Sequence, residues 1–331
     1  MDQEVPLYTV IDMGFQDSHA SLAIMCRGIR FFVQIDLSNL QGLHAKQFID
    51  FRDHMDEDID LADAFEDWAV EPCIPHLRQN TSTTSEAKSL TLQEYFAPPT
   101  ILLELSAFYG SLQANPCAGD EADTNYLSPK VQMSDLTVSD TRLRYLSRIK
   151  ASELYTTSEA DPFDFEFCAF PRAVQRKSSD ETVFFKAAVD IGPFNRELDI
   201  YLRITESCQP SKLRIPTLLA LVEWEDGDSI VGFLTEYVHQ ASTLRDASCD
   251  QTRRARQRWM HQIEESVHVL HSLGVVWGDV KPENILVDAH GDARVIDFGG
   301  GFSQDWVNGH LGETQEGDLQ GVSRIRQFLG L

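Results

Sequence analysis

Residues 277–299 read WGDVKPENILVDAHGDARVIDFG, an apolar hairpin bounded by two aspartates, Asp279 and Asp297. Lys281 and Asn284 follow the first aspartate by two and five residues. Each of these residues alone is typical of a solvated loop. Together they combine a carboxylate that can accept a proton, a cation, and two hard oxygen ligands of the kind Mg²⁺ prefers. The joint spacing therefore indicates a catalytic site.

This stretch resembles the catalytic loop and the Asp-Phe-Gly motif of the eukaryotic protein kinase superfamily. In those enzymes an Asp accepts the proton of the attacking hydroxyl, while an Asn and a second Asp hold Mg²⁺ against the phosphates of ATP. The resemblance implies that Asp279 is the catalytic base and that Lys281 neutralises the γ-phosphate. It also implies that Asn284 and Asp297 are the metal ligands, with ATP and Mg²⁺ as substrate and cofactor.

Two further residues extend the resemblance upstream. Lys186 lies in an apolar β run, and Glu197 follows eleven residues later in an amphipathic helix. A lysine that extends from an edge strand into solvent, followed by a surface glutamate, would give the same sequence pattern. In kinases, however, a strand lysine contacts the α and β phosphates and a helix glutamate fixes that lysine. Lys186 and Glu197 are therefore expected to form such a pair in the ATP site.

Residues 234–238 resemble the kinase hinge, whose backbone hydrogen-bonds adenine. The resemblance places Thr235 at the gatekeeper position and Glu236 and Val238 at the adenine edge. These residues end the second strand of a predicted hairpin, whose turn contains Asp226-Gly227, a strong hairpin signal.

The chain departs from the kinase pattern in three places. No Gly-x-Gly-x-x-Gly precedes Lys186, and residues 170–174 stand there instead. The His-Arg pair before the catalytic Asp is replaced by Trp277-Gly278, which removes the charge partner of a phosphorylated activation segment. No Ala-Pro-Glu follows the Asp-Phe-Gly, so a truncated large lobe is expected. The ending, with Glu-Gly-Asp-Leu-Gln-Gly at residues 316–321, is similar to a divergent set of kinase-like proteins in fungi.

The predicted fold class is α+β. The resemblance implies a two-lobed, protein kinase-like fold over residues 139–331, with a β-rich N-lobe to about residue 238 and a shortened helical C-lobe over 239–331. Alternating apolar residues predict a β-strand over 163–170 within the N-lobe.

A small α+β domain is predicted ahead of the kinase-like region, over residues 1–112. It contains a β-hairpin between residues 22 and 36 and a helix that begins near the acidic run at 56–58. Residues 113–138 are predicted to be a linker, because they begin with a polar, acidic stretch punctuated by Pro and Gly.

Composition narrows the choice of partners and compartment. A formal net charge of −24 argues against nucleic acid and against an anionic membrane surface as partners. No apolar stretch of membrane-spanning length and no secretory signal are visible, so a cytoplasmic or nuclear location is expected. The six cysteines contain no Cys-x-x-Cys, which suits a reducing compartment.

Three functions fit this sequence. The leading interpretation is a serine/threonine protein kinase that uses ATP and Mg²⁺. The second is a pseudokinase or scaffold that binds nucleotide without turnover. The third is a small-molecule kinase, because Gly278-Asp279 is similar to the Gly-Asp of aminoglycoside and choline kinases. The hydroxyl acceptor, protein or small molecule, is not specified by these residues.

Overall fold

The computed structural model describes residues 8–55, 59–80, 89–118, 127–157, 170–179, 181–207, 213–248 and 251–331. The chain divides into two compact units, which are Met1–Ser128 with Phe163–Pro171, and Pro129–Pro162 with Arg172–Leu331. The acidic helix start at 56–58 lies outside the described residues, as does the strand predicted over 163–170, apart from Phe170. None of the described helices is long and apolar enough to cross a membrane.

The first unit contains a five-stranded sheet in the order β1-β2-β3-β4-β5. Its strands are β1 (Thr9–Phe15), β2 (His19–Cys26), β3 (Ile29–Asp36), β4 (Thr100–Phe108) and β5 (Ser111–Pro116). Neighbouring strands are antiparallel except β3 and β4, which are parallel. The helices are α1 (Gly42–His54), α2 (Ile59–Val70), α3 (Ile74–Asn80) and α4 (Leu92–Phe96). The predicted hairpin at residues 22–36 is confirmed as β2 and β3.

Strand β5 occupies the beginning of the segment predicted as a linker. Asn115 and Pro116 pair with Glu104 and Leu103 of β4, so backbone pairing at the sheet edge prevails over their turn-forming composition. The other domain boundaries stay predictions.

The N-terminal part of the second unit is built on a seven-stranded sheet. Its elements are β6 (Val131–Gln132), α5 (Asp140–Leu143), β7 (Ser147–Lys150), β8 (Leu154–Thr156), β9 (Ala173–Arg176), β10 (Thr182–Ala187), α6 (Ile191–Glu206), β11 (Leu218–Glu223) and β12 (Ser229–Glu236). The strand order is β7-β11-β12-β10-β9-β8, and β6 pairs with β12. Strands β9 and β10 form the hairpin that carries Lys186, and the hairpin predicted around Asp226-Gly227 is confirmed as β11 and β12.

The C-terminal part of this unit is mostly helical. Its elements are β13 (Ser242–Thr243), α7 (Leu244–Ala247), α8 (Arg253–Ser272), β14 (Ile285–Val287), β15 (Ala293–Val295) and α9 (Gln315–Phe328). Strands β13, β14 and β15 form a small sheet, and β14 with β15 is the hairpin predicted within 277–299. A β-rich sheet region followed by a helical part is consistent with the predicted protein kinase-like fold.

Helix α6 connects the sheet to the segment that bears Asp297. Asp190 caps its N-terminus by accepting the Gly192 N–H. Tyr201 lies on its buried face, with its ring centroid 5.6 Å from Phe233 of β12 and 5.5 Å from Phe298. Burying an aromatic side chain of this kind stabilises the fold by about 1.5–3 kcal/mol. The same packing fixes the helix against β12, the neighbour of the strand that carries Lys186.

Candidate active site

The predicted Lys186–Glu197 pair is formed. Lys186 Nζ lies 2.7 Å from Glu197 Oε2 and 2.9 Å from Asp297 Oδ1. Glu197 is buried on α6, whereas Lys186 and Asp297 remain about one-third to two-fifths exposed. One cation from the sheet thus joins a helix carboxylate to the carboxylate of the Asp-Phe-Gly motif.

The charges in this triad shift one another's pKa values. Burial opposes the charge of Lys186, but Glu197 and Asp297 together raise the pKa of its ammonium. Burial raises the pKa of Glu197, and the nearby Lys186 offsets part of that effect. Burial also acts against ionised Asp297, yet Lys186 and the Gly299 N–H lower the pKa of that carboxyl. Lys186 and Asp297 are therefore both charged at neutral pH.

Asp297 is held in an uncommon backbone conformation. Its φ of +60° lies in the left-handed region, which non-glycine residues adopt at a cost. The Gly299 N–H donates to Asp297 Oδ1 at 3.3 Å, and the Phe298 N–H donates to Glu197 Oε1 at 3.5 Å. The fully buried Phe298 ring completes this anchoring against Tyr201. Together with the Lys186 ion pair, these three contacts hold the Asp297 side chain in its direction.

Asp279 is the centre of a second cluster. Its Oδ2 lies 2.6 Å from Lys281 Nζ and accepts a hydrogen bond of 3.0 Å from Asn284 Nδ2. Asn284 Nδ2 also donates to the Asp279 carbonyl at 2.9 Å. Lys281 contributes to the lowered pKa of Asp297, so the two clusters interact electrostatically. The structure thus brings together all the sequence-predicted chemical residues of the loop and the Asp-Phe-Gly motif.

Ser303 is a member of this cluster that the sequence did not reveal. Its Oγ donates to Asp279 Oδ1 at 3.2 Å. The contact shows that a hydroxyl reaches the carboxylate oxygen that Lys281 and Asn284 leave free. Ser303 lies in an irregular segment six residues after Asp297, where no periodicity signals which side chains point inward.

Asn284 and Asp297 each keep one side-chain oxygen atom of the kind that Mg²⁺ prefers. Because Asn284 Nδ2 donates twice to Asp279, its amide oxygen is left as an acceptor. Asp297 Oδ1 is taken by Lys186 and Gly299, which leaves Oδ2. Within the described ranges, no group of three or more His, Cys, Asp and Glu side chains could hold a metal ion alone. Two hard oxygen ligands are enough when phosphates and water complete the shell.

The residues predicted for the adenine edge lie where β12 ends. Glu236 is the last residue of β12, and its N–H donates to the Thr217 carbonyl at 2.9 Å. Its carboxylate pairs with Arg294 at 3.1 Å. Val238 follows two residues later and is half-buried. Buried Thr235 lies opposite Phe184 in β10, two residues before Lys186. Thr235, Glu236 and Lys186 therefore lie on the paired strands β12 and β10.

Asp318 anchors the catalytic loop from α9. Its two carboxylate oxygens accept the N–H groups of Trp277 and Gly278, both at 2.8 Å, and His271 Nε2 lies 2.7 Å away. Asp318 is only 1% exposed, so these contacts satisfy a buried charge. Helix α9 begins at Gln315, so Asp318 lies in its first turn, between the two glycines of residues 316–321.

Comparison with known proteins reveals similarity to protein kinases over part of the chain. Residues 197–319 match the model of the protein kinase domain. CBL-interacting protein kinase 12 of Oryza sativa subsp. japonica is 34% identical over 89 residues, which is 27% of this chain and 16% of that protein. CBL-interacting serine/threonine-protein kinase 15 of Arabidopsis thaliana is 33% identical over 88 residues, 26% of this chain and 21% of that protein.

A shorter match reaches a higher identity. Serine/threonine-protein kinase pim-2 of Danio rerio is 52% identical over 46 residues, which is 14% of this chain and 15% of that protein. The matched regions span less than a quarter of the length of these three relatives. These relatives come from plants and a fish, and the fungal resemblance stays a prediction. The matches support a protein kinase-like superfamily for this chain.

Proposed function

We propose that this chain is an ATP- and Mg²⁺-dependent phosphotransferase of the protein kinase class, which transfers the γ-phosphoryl group to a serine or threonine hydroxyl. The observation that carries the proposal is the triad in which Lys186 Nζ contacts both Glu197 and Asp297, at 2.7 and 2.9 Å. An isolated structural lysine would need one partner. A lysine shared between a helix glutamate and a metal-binding aspartate suits the positioning of phosphates.

Each residue has a role in this proposal. Asn284 and Asp297 would hold Mg²⁺, which when bound neutralises phosphate charge. Lys186 would contact the α and β phosphates, while Glu236 and Val238 would border the adenine.

Asp279 would accept the proton of the hydroxyl that attacks, at the oxygen that Ser303 now contacts. Lys281, 2.6 Å from Asp279, would offset the negative charge of the transferred group.

One observation favours a second candidate, a scaffold that binds nucleotide without turnover. Strands β8 and β9 are antiparallel neighbours that precede the strand with Lys186, in the same order as the two strands that the glycine-rich loop joins in protein kinases. Residues 157–172 in this connection contain no glycine. The connection therefore lacks the residue type that allows a backbone to approach phosphates closely. Weak nucleotide binding or slow turnover is the expected consequence.

Radiolabelled ATP separates the two candidates. The full chain is incubated with Mg²⁺, generic protein acceptors and a panel of small-molecule alcohols. Asp279→Asn should lower the transfer rate by about 10²–10⁴-fold, because general-base assistance is lost, and should leave nucleotide binding unchanged. The matched control is Asp228→Asn, an exposed aspartate in the turn between β11 and β12.

Transfer at the wild-type rate in Asp279→Asn would remove Asp279 from the mechanism. Nucleotide binding without transfer to any acceptor would favour the scaffold.

A further inference from the structure

Arg196 reaches from α6 to the catalytic loop and to the segment after Asp297. It directly precedes Glu197, and its side chain is one-quarter exposed. Its Nη2 donates to the Val276 carbonyl at 3.1 Å, and its Nη1 lies 3.4 Å from Glu313 Oε1. One guanidinium therefore joins three parts of the unit that are far apart in sequence.

Two glycines leave the space that this guanidinium needs. A Cβ on Gly278 would lie 3.0 Å from Arg196 Nη2, and a Cβ on Gly300 would lie 2.0 Å from Nη1. Both glycines also have φ of +95°, which side chains disfavour. Gly278 occupies the position where the resemblance expects an arginine. The cation missing from the loop is thus supplied by α6.

Glu313 provides the anion. Its Oε1 also accepts the Gly301 N–H at 2.9 Å, so it closes the segment between Gly301 and Glu313 into a loop. Glu313 has φ of +56°, a strained conformation that these contacts maintain. A phosphate attached to such a segment would carry about −1.5 to −2 charges and would bind arginine in the same way. In this chain the Glu313 carboxylate, which needs no modification, contacts Arg196 in place of a phosphate.

We propose that the Arg196–Glu313 pair is a permanent substitute for activation by phosphorylation. Arg196 and Glu313 are positioning residues: they order residues 299–313 against α6 and the catalytic loop without any modification of the segment. Because Arg196 adjoins Glu197, the same contact couples the order of this segment to the Lys186 triad. The consequence for transfer rate rests on the proposed function, whereas the ordering of the segment does not.

Hydrogen exchange measured by mass spectrometry tests the ordering directly. The full chain is treated with phosphatase and compared with Arg196→Met, Glu313→Gln, the double variant and Arg196→Lys. Arg203→Met is the matched control, because Arg203 lies on the same helix and pairs with Asp199 at 2.7 Å. Glu316→Gln, an exposed glutamate three residues after Glu313, controls for the second position.

Peptides covering residues 299–313 should exchange about three- to tenfold faster in Arg196→Met and in Glu313→Gln, as expected for loss of a charged hydrogen bond. The double variant should exchange no faster than the faster single variant, because one contact is removed in both. Arg196→Lys, which keeps the charge, should fall between wild type and Arg196→Met. The two controls should match wild type.

Transfer assays supply a separate readout. Phosphatase treatment should leave the wild-type transfer rate unchanged. Both single variants should lower kcat by a larger factor than they change the KM for ATP.

The inference would be overturned if phosphatase treatment of the wild type removed the slow exchange of residues 299–313. It would also be overturned if the increases in exchange rate of the two single variants added in the double variant. If the wild type transfers no phosphate, the proposed function fails, and the exchange data still decide whether the pair orders the segment.

Discussion

At the scale of single residues, the site depends on the balance of one cation against two carboxylates. Glu197 is buried and Asp297 is partly buried, so neither is fully solvated by water, and Lys186 supplies the compensating charge to both. Breaking a buried pair by removing one partner typically costs about 3–5 kcal/mol, because the remaining charge is left uncompensated. The triad is therefore more sensitive to loss of Lys186 than an exposed ion pair would be.

Replacing Lys186 should make stability depend on pH in a defined direction. In Lys186→Met, burial and Asp297 raise the pKa of Glu197 with no cation to oppose them. The folded state then binds a proton that the unfolded state releases, so stability falls as pH rises. The free energy of unfolding should therefore lie further below wild type at pH 7.5 than at pH 5, as measured by urea denaturation.

Lys150→Met is the matched control for this prediction. Lys150 contacts buried Glu223 at 3.2 Å, but Arg148 also contacts that carboxylate at 2.8 Å and remains in the variant. The loss of stability in Lys150→Met should thus be smaller and the same at both pH values. Equal losses at pH 5 and pH 7.5 in Lys186→Met would contradict the assignment of Lys186 as the compensating charge.

At the scale of elements, α9 supports the catalytic loop by two contacts one turn apart. Asp318 accepts the backbone N–H groups of Trp277 and Gly278, and Gly321 lies directly against Val280. A Cβ at position 321 would lie 2.6 Å from the Cβ of Val280, closer than side chains tolerate. The helix and the loop are therefore packed with no room for a methyl group.

Gly321→Ala should lower both stability and transfer. Alanine in a helix is favoured over glycine by up to about 1 kcal/mol, but overpacking costs about 1–3 kcal/mol. The displaced Val280 adjoins Asp279 and Lys281, so the transfer rate should fall as well. Ser323→Ala, an exposed position on the same helix, should be neutral or slightly stabilising. Chemical denaturation measures the free energy of unfolding, and the transfer assay measures the rate. A Gly321→Ala variant more stable than wild type would contradict the prediction, because it would show that the loop shifts to accommodate the methyl group at little cost.

At the scale of the whole molecule, the chain forms two compact units with separate cores. The first unit packs Phe48, Phe65 and their neighbours, and the second packs Leu198, Phe233 and theirs. All the candidate site residues belong to the second unit. A ligand of this site should therefore stabilise one unit and leave the other unaffected.

Calorimetry of the full chain should reveal that selectivity. At about 100 times its dissociation constant a ligand adds roughly 2.7 kcal/mol, which corresponds to about 5–10 °C for a unit of this size. Mg²⁺ with ATP should shift only the transition of the second unit, and Mg²⁺ alone should have little effect. Asp297→Asn should lose the part of the shift that needs metal. A shift that is the same with EDTA would indicate nucleotide binding without the metal site.

The sequence by itself determined the local elements and the chemical residues of this protein. Hairpins and the stretch 277–299 were predictable because periodicity, turn residues and short spacings are local properties of the chain. Lys186 and Glu197 were predictable as a pair only through the resemblance, since their spacing alone also suits an edge lysine and a surface acid. The strand at Asn115 and Pro116 was not predictable, because a neighbouring strand outweighed their turn propensity.

Only the tertiary structure decided which distant residues support that chemistry. Ser303 meets Asp279, Asp318 holds the backbone of the catalytic loop, and Arg196 meets Glu313 across more than a hundred residues of sequence. Each of these contacts includes at least one irregular segment, and the position of its partner depends on packing elsewhere in the unit. A side chain in such a segment has no periodic neighbours to indicate its direction, so its partner is set by the folded core and not by the local sequence.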